Sequence, residues 1–344
     1  MLGIRWRKIL RDLWSNKQRT IVVVLSIAVG VFAVGAIMTT STLLSREMTA
    51  DYMAVNPAHA WVFNSGVNDD DIASIERMPE VAAAEGRTRY TLRVRVGEDE
   101  WKNIQIIGLA DFNDVRINIV APETGAWPPA ERELLIERTA LSMLPGTGPN
   151  GKAQIGDMAT VEMWDGKTRQ LRIAGTTHDV NQFPAPLANM AYAYCTTDTL
   201  EWLGMPDLYT EVLVTGAGEN LNKDDYNRVA EAVEAKLKKG GVQTWGFYVP
   251  TPGKHPADEV VQPMLLMLGF LGALALGLSG FLVVNTIAAI LAQQIKQVGI
   301  MKAIGARRKQ IIGLYLAMVA IFGGLSLVVS IPLGIIVSRG FLQW

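Results

Sequence analysis

The apolar residues of this 344-residue chain are gathered into three long blocks. Residues 20–44, 260–295 and 311–338 hold no charged side chain. Each block exceeds the ~20 residues that a helix needs to cross a hydrocarbon core about 30 Å thick. The pattern predicts three membrane-spanning helices. The first is too long for a signal-peptide core and lacks a small-residue cleavage site, so it reads as a retained anchor.

Between the first two blocks the period changes. In residues 45–259, "AWVF" (60–63) reads as a strand, and "NDDDIASIERM" as a short helix with acids in its first turn and Ile72 and Ile75 inward. "VAAAEGRTRYTLRVRV" continues as strand. The rhythm returns late, with "TEVLVT" as strand, "DDYNRVAEAVEAKLKK" as a helix carrying Tyr226, Val229, Val233 and Leu237 on one side, and "GVQTWGFYV" as strand. Two split β-α-β units predict a ferredoxin-like subdomain. The insertion at about 100–208 is rich in short strands ("KNIQIIGL", "MATVEMW", "RQLRIAGTT", "MAYAYC"), with Pro122, Pro128, Pro129, Pro184 and Pro186 between them. It predicts a second, β-rich subdomain. The expected fold class is an α-helical membrane protein with an inserted α+β extracytoplasmic domain.

Charge supplies the orientation. Residues 1–19 carry Arg5, Arg7, Lys8, Arg11, Lys17 and Arg19 against Asp12 alone. The segment 296–310 carries Lys296, Lys302, Arg307, Arg308 and Lys309 and no acid. Of the 33 acidic residues, 32 fall in residues 46–259, against 20 of the 32 basic ones. Short basic segments stay cytoplasmic. The expected topology is a multi-pass protein of the cell membrane with a cytoplasmic N-terminus and the large domain extracytoplasmic. Residues 339–344 then follow the third span on the outer side, a stopping point that suggests a fragment or half of a longer chain. The single cysteine, Cys195, leaves that domain to rely on a hydrophobic core.

Two polar segments carry more detail. Residues 1–19 read as an amphipathic interfacial helix, with Ile4, Ile9, Leu10, Leu13 and Trp14 toward lipid and the basic residues toward anionic headgroups. In the 296–310 segment, Val298, Ile300, Met301 and Ile304 fall within about 160° at helical spacing, with Gln297 interrupting and Lys296, Gly299, Lys302 and Ala303 opposite. Gly305 supplies a left-handed stop, and Arg307, Arg308 and Lys309 reach the headgroups. A ridge with small residues beside it predicts a helix that docks in a protein groove. In the second span, Gly269, Ala273 and Gly277 recur every four residues and predict a face for close helix packing.

Other chemistry is excluded or disfavoured. The spans hold no ionisable group, which argues against ion-coupled pumping. "GTGPNGKA" (146–153) resembles a phosphate loop, yet Ala153 stands where a hydroxyl is required, and a polar turn is expected. His59, His178 and His255 lack metal-ligand spacing. "GLSGF" is not a nucleophile elbow. Arg87, Arg89, Arg93 and Arg95 share one side of a strand and read as a solvated basic face rather than an anion site. "NQFPAPL" and "TGAWPPAER" read as exposed loop tips. No catalytic, cofactor or metal residue is expected, and nothing points to nucleic acid.

One resemblance covers nearly the whole chain. "VGIMKAIGARRKQI" resembles the cytoplasmic segment of ABC-transporter permeases of the MacB/FtsX type, at Gly299, Lys302, Ala303, Gly305, Ala306 and Arg307. "LWSNKQRTIVVVLSIAVGV" is similar to that family's N-terminal signature, at Asn16, Lys17, Arg19, Thr20, Ile27 and Gly30. "ELLIERTAL", "IGDMATV" and "RIAGTTHD" look like its periplasmic core. The resemblance implies a permease subunit, itself no enzyme, joined to a second permease chain or half. ATP and Mg would sit on cytoplasmic ATPase partners. It makes Val298, Gly299, Ile300, Met301, Lys302, Ala303, Ile304, Gly305 and Ala306 the coupling helix that those ATPases move. Gln297 stands where the family often has an acid, so an ion pair there becomes a neutral hydrogen bond. The family normally has at least four spans.

The implied task is export or extraction of a lipoprotein, peptide or amphiphile, with an extracytoplasmic partner or cargo protein. A regulator of a cell-wall hydrolase, as in FtsX, and an anchored sensor without an ATPase are the alternatives.

Overall fold

The computed structural model describes Arg11, Trp14 and residues 17–342. These divide into a central unit, residues 47–258, and a helical unit formed by the described residues on either side. The interfacial helix expected over residues 1–19, with Arg5, Arg7 and Lys8, lies outside the described residues, apart from Arg11, Trp14 and 17–19.

In the central unit, β1 (Ala60–Val67), α2 (Asp69–Glu76) and β2 (Val81–Arg95) form the first β-α-β unit. The second is β9 (Tyr209–Gly216), α6 (Lys223–Lys239) and β10 (Thr244–Tyr248). The strands lie side by side in the order β10-β1-β9-β2, every pair antiparallel. Both helices start at full capping boxes, Asn68 with Asp71 and Asn222 with Asp225, which satisfy backbone donors at each end. Their apolar faces, Ile72 and Ile75 on α2 and Tyr226, Val229, Val233 and Leu237 on α6, are buried against Val62, Val212 and Val214. Each large apolar side chain buried in this way contributes about 1.5–3 kcal/mol.

Between β2 and β9 the chain adds β3 (Trp101–Leu109), β4 (Ala121–Gly125), β5 (Glu133–Glu137), α3 (Arg138–Leu141), β6 (Met158–Glu162), β7 (Thr168–His178), α4 (Ala185–Ala188), β8 (Met190–Thr196) and α5 (Thr197–Trp202). The pairings β2-β3-β8-β5-β7-β6 return to β2, so six strands close a barrel. β4 lies against the far part of β7. Period-2 alternation serves two cores at once. Leu134 and Ile136 face the interior with Ile104, Ile106, Leu171 and Ile173, while Leu135 faces a second cluster with Ile107, Phe112 and Tyr194.

β2 belongs to both halves. Val81–Arg87 pair with β9, Thr88–Arg95 pair with β3, and Arg93 and Val94 also pair with β6.

The helical unit holds α1 (Lys17–Ala54) as far as Arg46, α7 (Asp258–Gln293) from Glu259 on, α8 (Ile295–Ala303) and α9 (Arg308–Leu342). α1 continues as helix to Ala54, well past its apolar block. Among the described residues, three helices are long and apolar enough to span a membrane, over Thr20–Thr39, Asp258–Gln293 and Arg308–Ile336. They pack through Val23, Ile290, Tyr315, Met318 and Phe322. Where α1 meets α7, a Cβ on Gly30 would approach Ser279 and Leu276 to 3.2–3.3 Å, and one on Gly272 would meet Val34 at 3.2 Å. Ser279 donates to Ser26 O (2.7 Å), and Ser326 donates to Val24 O (2.9 Å). Hydroxyls thus join α1 to both neighbours without any charge.

Candidate coupling segment

The turn between α7 and α9 is built by local bonds at both ends of α8. At its close, Gly305 adopts φ 98°, a conformation that strains any residue with a Cβ. Ala306 N–H bonds Met301 O (2.9 Å) and Gly305 N–H bonds Lys302 O (3.0 Å). This pair of bonds is a Schellman stop. α9 then begins with Gln310 Oε1 accepting from Arg307 N–H at 3.0 Å, the reverse arm of a capping box. At the start of α8, Gln294 is buried, and its Oε1 accepts the Tyr315 hydroxyl at 3.1 Å.

The expected ridge is divided in the structure. Val298 and Met301 are half-buried, whereas Ile300 is 60% and Ile304 82% exposed. Gly299, Lys302 and Ala303 are exposed, and the space beside Gly299 is open to 4 Å. The isoleucines and small residues therefore share one open surface instead of forming a ridge with a separate back. At 100° per residue, Val298 and Met301 form one edge of the apolar arc and Ile300 and Ile304 the other, and only the first edge is turned inward. Ala306 is half-buried; Lys296, Arg307, Arg308 and Lys309 are exposed. Arg11 and Lys17 are also exposed, and the Arg19 side chain lies outside the described ones. Ile295 and Ile300, bare on this nine-residue helix, and Ile304, bare at its C-cap, can bury their surface on another body, with cations beside them to meet acids.

Among the described residues, nothing packs on the small-residue face of α7. Nothing lies within 4 Å of a Cβ built on Gly269 or Gly277, and Ala273 is exposed. The α1 contact uses Gly272, Leu276 and Ser279 instead.

In the central unit the four arginines of β2 do not form one solvated face: Arg93 and Arg95 are exposed, whereas Arg87 is buried and Arg89 half-buried. Arg87 is 1% exposed and holds Glu85 at 3.0 Å. It also donates to Ile117 O and, at 2.9 Å, to Asn118 O. Glu85 in turn accepts the N–H groups of Arg116 (2.9 Å) and Ile117 (3.0 Å). Arg89 pairs with Glu211, Arg93 with Glu162, and Arg95 bonds Thr160. Each cation already has a partner, Arg87 on its own strand and the other three on strands distant in sequence.

The phosphate-loop look-alike is a self-closed turn. Asp157 accepts from Thr147 N–H (2.9 Å), Thr147 Oγ1 (2.6 Å) and Gln154 N–H (2.9 Å). Those bonds, the Thr147 hydroxyl first, hold its carboxyl pKa below the usual carboxylate range. Among the described residues no His, Cys, Asp and Glu group could hold a metal. The "TGAWPPAER" tip is not free: Trp127 stands edge-on to Phe112 at 5.0 Å. In "NQFPAPL", Ala185 is buried and its N–H bonds Thr139 Oγ1 at 2.9 Å.

Comparison with known proteins adds the relationship. The family model described as MacB-like periplasmic core domain matches residues 20–236, and that described as FtsX-like permease C-terminal matches residues 269–344. No curated protein matches the chain. Among solved structures, the extracellular domain of the noncanonic ABC-type transporter YknZ from Gram-positive bacteria is 13% identical, with 56% of this chain and 99% of that one covered and a TM-score of 0.37. The periplasmic region of MacB from Actinobacillus actinomycetemcomitans is 11% identical, with coverage of 63% and 97% and a TM-score of 0.36. A domain of a putative permease from Porphyromonas gingivalis is 16% identical, with coverage of 54% and 78% and a TM-score of 0.31.

Proposed function

Because this chain belongs to the family of permeases with a MacB-like periplasmic core domain and an FtsX-like membrane region, we propose that it is the membrane subunit of an ABC transporter that converts ATP hydrolysis on a partner into movement of its central unit. The central unit, a ferredoxin-like sheet with a barrel inserted, is extracytoplasmic in this reading, and α8 is cytoplasmic. Cytoplasmic ATPase subunits grip α8, and a second permease chain or half completes the assembly. The cargo class is a lipoprotein, peptide or amphiphile, exported or extracted on the outer side.

The observation that carries this reading is the open surface of Gly299, Ile300, Ala303 and Ile304, held on a helix whose two ends are fixed by backbone bonds. A simple connector does not require bare isoleucines beside a glycine. The blocks 20–44, 260–295 and 311–338 support the task by omission, since they offer no charged group along which a polar substrate would cross.

The test is Gly299→Trp in the chain reconstituted with its ATPase. Trp would fill the open surface and lower coupled ATP turnover by about tenfold or more, the effect of losing roughly 1.4 kcal/mol of docking. Unchanged turnover sinks the docking surface.

A further inference from the structure

The two ends of the central unit meet at one buried contact. Tyr52, in the last turn of α1, is 2% exposed. Its ring stands edge-on to the imidazole of His255, with centroids 5.0 Å apart and planes at 67°. His255 is 7% exposed and lies just before Asp258, where α7 begins. Its Nδ1 accepts the Ala257 N–H at 2.9 Å. That acceptor role places the neutral ring's proton on Nε2, which donates to Val180 O.

Val180 belongs to a turn organised by a buried carboxylate. Asp179 accepts from Asn181 N–H (2.9 Å), the Asn181 amide (2.7 Å), the Gln182 amide (3.1 Å) and the Tyr194 hydroxyl. Tyr194, fully buried on β8, packs with Ile107, Phe112 and Leu135 against the barrel wall. A continuous series of buried contacts thus leads from α1, through the imidazole, to the barrel. The segment that precedes α7 joins the series at His255 itself.

This joint also carries polar atoms left without partners. Among the described residues, Tyr52 Oη, Thr177 Oγ1 and Asn181 Oδ1 are buried and make no hydrogen bond. Such groups penalise the packing that holds them. A joint tolerating several of them is not optimised for stability alone, which suits an element that exchanges between two packings.

We propose that His255 is the positioning residue of a latch that ties the end of α1 and the 249–257 segment to the barrel loop at 179–188, so that displacement of either is passed to that loop. Only its link to ATP rests on the function proposed above. A histidine that merely filled space would stabilise its own segment without joining the other two.

Hydrogen exchange on the full chain in lipid nanodiscs tests the latch without any partner. His255→Ala is expected to speed exchange in residues 49–58, 179–188 and 249–258 together by about fivefold, the effect of one lost hydrogen bond on an opening equilibrium. His255→Gln should restore protection, because its amide can accept from Ala257 and donate to Val180. Faster exchange confined to 249–258, or no rescue by Gln, overturns the latch.

A second measurement adds the ATPase. Leu187 is exposed and Cys195 is buried, so a thiol-reactive fluorophore on Leu187→Cys reports the loop selectively. With ATP, the fluorescence change should fall at least about fivefold in His255→Ala, while turnover stays within about twofold. An undiminished change overturns the latch. Absence of turnover in the unsubstituted complex would instead refute the proposed function, and the exchange result would still decide the latch.

Discussion

Tyr315 of α9 donates its hydroxyl to the side-chain oxygen of Gln294, across 3.1 Å of buried space between two apolar helices. This bond fixes the residue from which α8 departs, and it ties the open surface of Ile300 and Ile304 to the spans. Tyr315→Phe removes the donor and strands a buried acceptor, at a cost of about 1–3 kcal/mol. Coupled ATP turnover in the reconstituted complex should fall several-fold, while ATP affinity, set on the partner, should not change. A shift in that affinity would contradict this assignment.

The two glycines of the turn should respond oppositely. Gly305 sits at φ 98°, where a Cβ costs about 1–2 kcal/mol, so Gly305→Ala should accelerate amide exchange at Ala306 and loosen the helix stop. Gly299 lies inside α8 with open space around it, and Gly299→Ala should raise helix propensity by nearly 1 kcal/mol. Exchange across residues 295–303 should therefore slow. Faster exchange in both variants would show that Gly299 also needs its conformational freedom.

Arg87 holds the 116–118 loop through carbonyl oxygens while paired with Glu85. Arg87→Ala strands those oxygens and removes the cation paired with the half-buried Glu85 carboxylate, a loss of about 3–5 kcal/mol. A domain of this size would melt roughly 10 °C lower or more. Arg95→Ala, on an exposed bond to Thr160, should move the midpoint by no more than about 2 °C. Equal shifts would remove the distinction drawn between the buried and exposed ends of β2.

Stability should also fall in mild acid. His59 stacks on Tyr226 at 4.1 Å, and its Nδ1 accepts the Gly216 N–H at 2.9 Å. Burial pushes its pKa below the ordinary value, and burial followed by Arg138 does the same at His178. A lowered folded-state pKa means that stability is complete above the unfolded value of about 6.5 and is lost as pH falls toward the folded one. Melting midpoints should drop between pH 7 and about pH 5. His59→Phe keeps an aromatic ring on Tyr226 but cannot titrate, so its midpoint should depend less steeply on pH. An identical slope would acquit His59.

Much of the architecture was legible in local pattern. The charge-free blocks marked the long helices, and the helical spacing of Ile72 and Ile75 and of Tyr226, Val229, Val233 and Leu237 marked α2 and α6. Barrel closure was not legible, because the backbone register between β6 and β2 is Arg93 and Val94 opposite Glu162 and Val161, a pairing no local period encodes. The arginines of β2 misled for the same reason: Glu211 and Glu162, which neutralise Arg89 and Arg93, come from distant strands. In α8, helical spacing gave the apolar positions but not which of them turn inward, since that depends on the neighbouring helices. Tyr52 and His255 carried no signal at all, being an ordinary tyrosine in a helix and an isolated histidine 203 positions later.

Because β2 serves the four-stranded sheet with its first half and the barrel with its second, the two halves have no flexible junction between them along this strand. Losing a single residue near Thr88 would swap inward for outward side chains on one side of the deletion, putting Ala84 out of phase with Leu92 and Val94. Evolution can therefore repaint this strand but not shorten or lengthen it, and length variation among descendants of this gene should collect in hairpin tips such as 97–100.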